Sequence, residues 1–101
     1  MMQNLYHEVL VSYDIEDNRQ RNRLFRALKE AALRPIQKSV FWGHVNRAEE
    51  RAIRRLLKEH CARGDKAFIV RAHLSAQIAQ HNSVGYTSGD FPDKPERYHV
   101  L

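Results

Sequence analysis

Cysteine is almost missing from this 101-residue sequence. Cys61 stands alone, so no disulfide can close within the chain, and a reducing compartment suits it. No run approaches the roughly 18 apolar residues that a membrane span needs. The opening MMQNLYHEVL lacks the cationic segment and apolar core of a secretory signal. A soluble, cytoplasmic protein with no membrane partner is expected. Also missing are a Gly-rich phosphate loop, a CxxC pair, an HExxH helix and a GxSxG elbow, which removes the chemistries those motifs carry. The six histidines are scattered, and none is spaced from another like a zinc-ligand pair. His44 and His73 fall in strand-like stretches and His60 on a helix, where core or interface roles suit them. Ser39 has no evident base beside it, so a nucleophilic serine is not expected.

Cationic residues are missing from one end of the chain and crowded in the middle. Residues 1–18 hold four acids (Glu8, Asp14, Glu16, Asp17) and no Lys or Arg, whereas residues 19–63 hold thirteen basic residues and four acidic ones. The whole chain carries a net charge of +5 and a pI near 9.7. Such a field favours a polyanion, most often nucleic acid or an anionic membrane.

Periodicity gives the elements. Glu8–Asp14 (EVLVSYD) reads as a strand with Val9, Val11 and Tyr13 on one face and Leu10, Ser12 and Asp14 on the other. Leu24, Leu28, Ala31 and Ala32 then recur at helical spacing with Phe25 beside them, which predicts a helix over 18–32. Asp17 and Gln20 are placed as a capping box before it, and Pro35 is expected to stop it. Arg19, Arg23 and Arg26 share one face of this helix. Residues 36–45 (IQKSVFWGHV) read as one bent strand or two short ones, with Gly43 a bulge position. Asn46 and Glu49 mark the start of a second helix, with Ala52, Ile53, Leu56, Leu57 and His60 on its apolar side and Gly64 at its end. Arg47, Arg51, Arg54 and Lys58 form a stripe on another side. Residues 66–74 (KAFIVRAHL) form a further strand. The tail loses its pattern, with a short strand expected near RYHVL at 97–101. This order predicts an α+β fold, a ferredoxin-like sandwich with two helices on one face of a mainly antiparallel sheet. The chain reads as one domain, with a core over 8–74 and a tail over 75–101.

Asp14 is the sharpest candidate for chemistry. A carboxylate at a strand end, with Glu16 and Asp17 following, suits a hard cation such as Mg²⁺ (or Mn²⁺), which seeks oxygen ligands while keeping several waters. The other reading of such an aspartate is an Asx-turn or a helix cap. One Asp is a poor metal site; two copies meeting across a two-fold axis make a better one. Arg19, Arg21, Arg23 and Arg26 suit a phosphate backbone, or else a solvated helix face. An RNA-recognition module reading bases by stacking is disfavoured, because KAFIVRAH offers only Phe68.

VSYDI at 11–15, the arginine-bearing helix after it, and IQKSVFWG at 36–43 together resemble the CRISPR-associated protein 2 family, in which a strand ends in Tyr-Asp and a Gln-x-Ser-Val-Phe segment follows an Arg-rich helix. DKAFIVRAHL fits the later strand of that family, and the resemblance covers about residues 8–74. It implies a ferredoxin-like homodimer in which Asp14 of each copy faces its mate and shares a Mg²⁺. It also implies a C-terminal strand, within RYHVL, added to the sheet of the partner copy. Members are metal-dependent endonucleases of single-stranded RNA or double-stranded DNA in antiviral defence. They also bridge dimers of the CRISPR-associated protein 1 integrase during spacer acquisition, holding the duplex backbone without cutting it. Many relatives place an acid directly after Ser-Val-Phe, where this chain has Trp42.

Overall fold

The computed structural model describes residues 5–74, 78 and 82–92. Six main elements follow one another: β1 (His7–Asp14), α1 (Asn18–Glu30), β2 (Arg34–Gln37), β3 (Val40–Val45), α2 (Arg47–His60) and β4 (Lys66–Arg71). The strands form one sheet in the order β2-β3-β1-β4, antiparallel at every pairing. Because β1 and β2 both run against β3, they are parallel to each other, and α1 carries the chain between them. The α+β, ferredoxin-like arrangement expected from the sequence is the one present. The expected strand at 97–101 lies outside the described residues.

The period-two pattern of β1 decides which face is covered. Val9, Val11 and Tyr13 are buried and meet Leu24 and Leu28 of α1, Ile53 and Leu57 of α2, and Phe41 and Val45 of β3. Each fully buried aliphatic or aromatic side chain of this kind contributes about 1.5–3 kcal/mol. Phe25 meets Phe41 edge to face, with ring centroids 5.1 Å apart. The opposite sheet face is only partly covered. Phe68 and Val70 of β4 remain 53% and 46% exposed there.

The end of α1 differs from the expectation. The helix stops at Glu30, and Pro35 lies beyond it inside β2. The stop is a left-handed Ala32 (φ 67°). Ala32 N–H donates to the Lys29 carbonyl and Leu33 N–H to the Leu28 carbonyl, the two bonds of a Schellman motif, with buried Leu33 over buried Leu28 as its apolar contact. Residues 36–45 resolve into two strands, joined by a turn at Lys38 and Ser39. The irregularity in this ladder lies between Pro35 and Gln37, not at Gly43, which pairs regularly with Val9. Glycine is needed at 43 for another reason. A Cβ there would meet Leu33 Cδ2 at 2.7 Å and the Ala32 carbonyl oxygen at 3.3 Å, because the α1–β2 turn passes directly over it. The α2 capping box is present as expected, with Asn46 and Glu49 bonded reciprocally. Gly64 does not end this helix; α2 stops at His60, and Gly64 (φ 93°) serves the turn before β4. That strand stops at Arg71, so His73 lies beyond it and is exposed.

Candidate functional site

β1 ends at the rim of the sheet. Its last core residue is Tyr13, and the next, Asp14, falls on the other face and is exposed. Directly across the strand pair stands Lys66, the first residue of β4. Ile15 then turns back into the core and is 3% exposed, which anchors the start of the β1–α1 turn.

The turn is held from two sides. Arg21 Nη1 donates to the Ile15 carbonyl at 2.8 Å and to the Glu16 carbonyl at 3.2 Å, and Nη2 donates to Asn18 Oδ1. Asp65, in the turn between α2 and β4, accepts the Glu16 N–H at 3.2 Å through Oδ1 and the Ala62 N–H at 2.9 Å through Oδ2. Asp17 Oδ2 accepts the Gln20 N–H at 2.9 Å and caps α1. The reciprocal half of the expected capping box is replaced: Gln20 Oε1 lies 2.9 Å from His60 Nδ1, which ties α1 to α2.

These groups line an open cavity of about 420 Å³, walled by Asp14, Glu16, Arg21, Arg63 and Asp65. A second cleft of about 450 Å³, lined by Tyr13, Asn22, Phe25, Lys38 and Ser39, shares the Arg21 wall. The exposed acid Asp14 thus shares one open cavity with Arg21 and Arg63, a mixture of charges that suits a phosphate approaching a carboxylate-held cation. Of the four arginines singled out in the sequence, Arg19, Arg23 and Arg26 are exposed along α1. Arg21 is half-buried and engaged with backbone oxygens. The structure therefore places Arg21 on the cavity that Asp14 lines and leaves the other three as a strip on the helix. Arg63, Asp65 and Lys66 escaped the sequence reading. They belong to a turn distant in the chain, and only the β1–β4 register brings them to the Asp14 end.

The remaining candidate nucleophiles and bases are removed by their surroundings. Burial pushes the Tyr13 phenol up, partly offset by the charge of Arg21. Burial, then the charge of Asp65, push the Cys61 thiol up, away from a reactive thiolate. Among the described residues, no histidine lines the Asp14 cavity. His44 is buried on the open sheet face near Glu8, with Nε2 3.9 Å from Oε1.

Among the described residues there is no cluster of three or more His, Cys, Asp or Glu side chains able to hold a metal. Asp14 and Glu16 are exposed carboxylates on this cavity, whereas each oxygen of Asp65 already accepts a backbone N–H. Magnesium is commonly held by one or two carboxylates with waters completing its shell. Asp14 therefore fits as one carboxylate of such a shell. No helix of the described residues is long and apolar enough to cross a membrane.

The sequence model of the family described as CRISPR associated protein Cas2 matches residues 7–77. The chain is 41% identical over 96 residues to a curated protein, CRISPR-associated endoribonuclease Cas2 1 of Francisella tularensis subsp. novicida (strain U112). The alignment covers 95% of this chain and 98% of that protein.

Proposed function

The chain belongs to the CRISPR associated protein Cas2 family, and on that premise we propose that it is a Mg²⁺-dependent endonuclease of antiviral defence that cleaves phosphodiester bonds of RNA as a homodimer. The observation that carries this reading is the exposed Asp14 carboxylate in a cavity whose other walls include Arg21 and Arg63. Asp14 of each copy would hold a shared Mg²⁺. When bound, Mg²⁺ supplies Lewis-acid stabilisation of the phosphate and a more acidic bound water. Arg63 faces the phosphate that enters the cavity. Arg19, Arg23 and Arg26 hold flanking phosphates along α1 and fix the strand relative to Asp14. The 41% identical relative, named as an endoribonuclease, supports RNA as the substrate class.

Two measurements test this. Asp14→Asn should abolish Mg²⁺-dependent cleavage of single-stranded RNA, by about 100-fold or more, while sedimentation shows the same particle. If two Asp14 carboxylates share one cation, mixing equal amounts of parent and Asp14→Asn chains, after subunit exchange, leaves about one quarter of the activity, not one half. Cleavage by Asp14→Asn at the parental rate overturns the enzymatic reading. Activity strictly proportional to the parental fraction overturns the shared site.

The exposed α1 strip favours a second, compatible role: an adaptor that holds double-stranded DNA between dimers of the CRISPR-associated protein 1 integrase. Binding through this strip predicts a log–log salt slope of about −0.9 per phosphate neutralised. Replacing Arg19, Arg23 and Arg26 by Ala together should flatten that slope. Salt-independent duplex binding would overturn it.

A further inference from the structure

The β1–α1 turn follows directly on Asp14, the carboxylate on which the proposed chemistry rests, and its peptide groups are fixed by two side chains from opposite directions. Arg21 takes the carbonyls of Ile15 and Glu16. Asp65 takes the N–H of Glu16 and, with its other oxygen, the N–H of Ala62. The Asp65 bond crosses 49 positions of sequence and is the side-chain link from the α2–β4 turn to the β1–α1 turn. Asp65 N–H also donates to the Ala62 carbonyl at 3.0 Å, so its own turn is closed independently. The carboxylate is thus held rigidly at its base while it reaches across to Glu16.

We infer that Asp65 is a positioning residue for Asp14: by bridging the Glu16 and Ala62 amides it fixes the turn that presents the Asp14 carboxylate to a divalent cation. The inference rests on the proposed role of Asp14. Three features favour it over a turn-local role. The two carboxylate oxygens serve two different chain segments, a division that neither asparagine nor alanine can reproduce. Asparagine keeps one acceptor and turns a donor toward the other N–H. The residue beside Asp65, Lys66, is the cross-strand partner of Asp14, so any movement of this turn is transmitted to the same strand end. Lastly, Ile15 is buried beside exposed Asp14, and the two peptides that follow Ile15 are the ones that Asp65 and Arg21 hold. Groups that orient a metal ligand without touching the metal commonly alter metal affinity or activity by 10–100-fold when replaced.

The test uses the full chain carrying Asp65→Asn or Asp65→Ala, with Asp14→Asn as the reference. Amide hydrogen exchange is read by NMR at Glu16 in metal-free protein. Binding is read from Mn²⁺ broadening of the Asp14 amide, and function from the Mg²⁺ dependence of RNA cleavage. Both Asp65 variants should speed exchange at Glu16 by about tenfold or more while buried β1 amides such as Val11 stay protected. They should raise the half-broadening Mn²⁺ concentration by about tenfold, and lower kcat with KM nearly unchanged. Should Glu16 exchange stay parental, the brace is absent. Faster exchange with parental Mn²⁺ binding would make the bond structural only. If Asp14→Asn cleaves like the parent, the enzymatic reading falls, while exchange and Mn²⁺ broadening still decide the role of Asp65. A variant that loses Val11 protection is replaced by Glu16→Pro, which removes the same N–H from the other side and should raise the Mn²⁺ requirement alike; a parental Mn²⁺ requirement in Glu16→Pro would overturn the inference.

Discussion

Trp42, the residue that stands where many relatives place an acid, is worth replacing first. It is 1% exposed and lies on the open sheet face, diagonal to Glu8 across the β1–β3 ladder. Its Nε1–H donates to Glu8 Oε2 at 2.9 Å. Glu8 is itself 5% exposed, and the same oxygen accepts the Leu74 N–H. The Phe91 ring packs on the indole at 5.1 Å. A charge-assisted hydrogen bond in such a place contributes about 1.5–3 kcal/mol, and stranding its buried partner adds to the loss. Trp42→Phe keeps an aromatic ring but deletes the donor and some buried area. We expect a loss of about 2–4 kcal/mol, which for a domain of this size lowers Tm by about 10–25 °C. Glu8→Met should lose a similar amount by stranding the indole N–H. The decisive quantity is the coupling between the two. Urea unfolding of both single variants and the double variant should show the double less destabilised than the sum by about 1 kcal/mol or more. Losses that add to within about 0.3 kcal/mol would mean that the two side chains do not interact, and the account of the buried face would be wrong.

Other outcomes follow from single contacts. Ala32→Gly should raise stability by about 0.5–1 kcal/mol in urea unfolding, because the left-handed penalty of Ala exceeds the added freedom of Gly in the unfolded chain; a destabilised variant would mean that Ala32 is not left-handed. Gly43→Ala should cost about 1–3 kcal/mol by overpacking against Leu33 and the Ala32 carbonyl, and a neutral result would show that this turn moves freely. Glu50, buried in α2, is held below its ordinary value near 4.5 chiefly by its hydrogen bond to Arg71, against the opposing effect of burial. Its contribution is therefore present above the usual glutamate range and lost as pH falls through the lowered value. Arg71→Met should shift the acid limb of the unfolding curve to higher pH, and an unchanged limb would refute the pairing.

The helical period of α1 and α2, the alternation of β1 and the Asn46 cap were legible because each is a local pattern written over a few residues. So was the fold class, since the order of elements and the length of chain leave few ways to bury both helices. The ends of elements were harder. Pro35 looked like the stop of α1, but the buried Leu28–Leu33 contact closes the helix earlier and leaves the proline free to sit in a short edge strand, where it is tolerated. Gly43 looked like a bulge. Its reason is steric and comes from a turn ten residues away. Glu8, Trp42 and Glu50 are buried polar residues, and nothing in their local pattern marks a partner 21 or 34 positions distant.

The same limit explains what was legible of the site. Asp14 could be singled out because strand alternation places it outward at a strand end, and the α1 arginines because a 3.6-residue period collects them. Arg21 had the same composition cue but a different position on the helix, which turns it inward to the carbonyls of the β1–α1 turn. A basic residue in an arginine-rich helix is thus left exposed or turned inward as a brace according to its angle about the axis, and the angle separates Arg21 from the exposed Arg19, Arg23 and Arg26. Asp65 had no cue at all, because its meaning arises only when β4 pairs beside β1. The division has a physical consequence. Residues that meet nucleic acid need only share a surface, so a local period suffices to find them. Residues that fix a carboxylate must come from another chain segment, because a turn cannot hold itself rigid with its own few side chains.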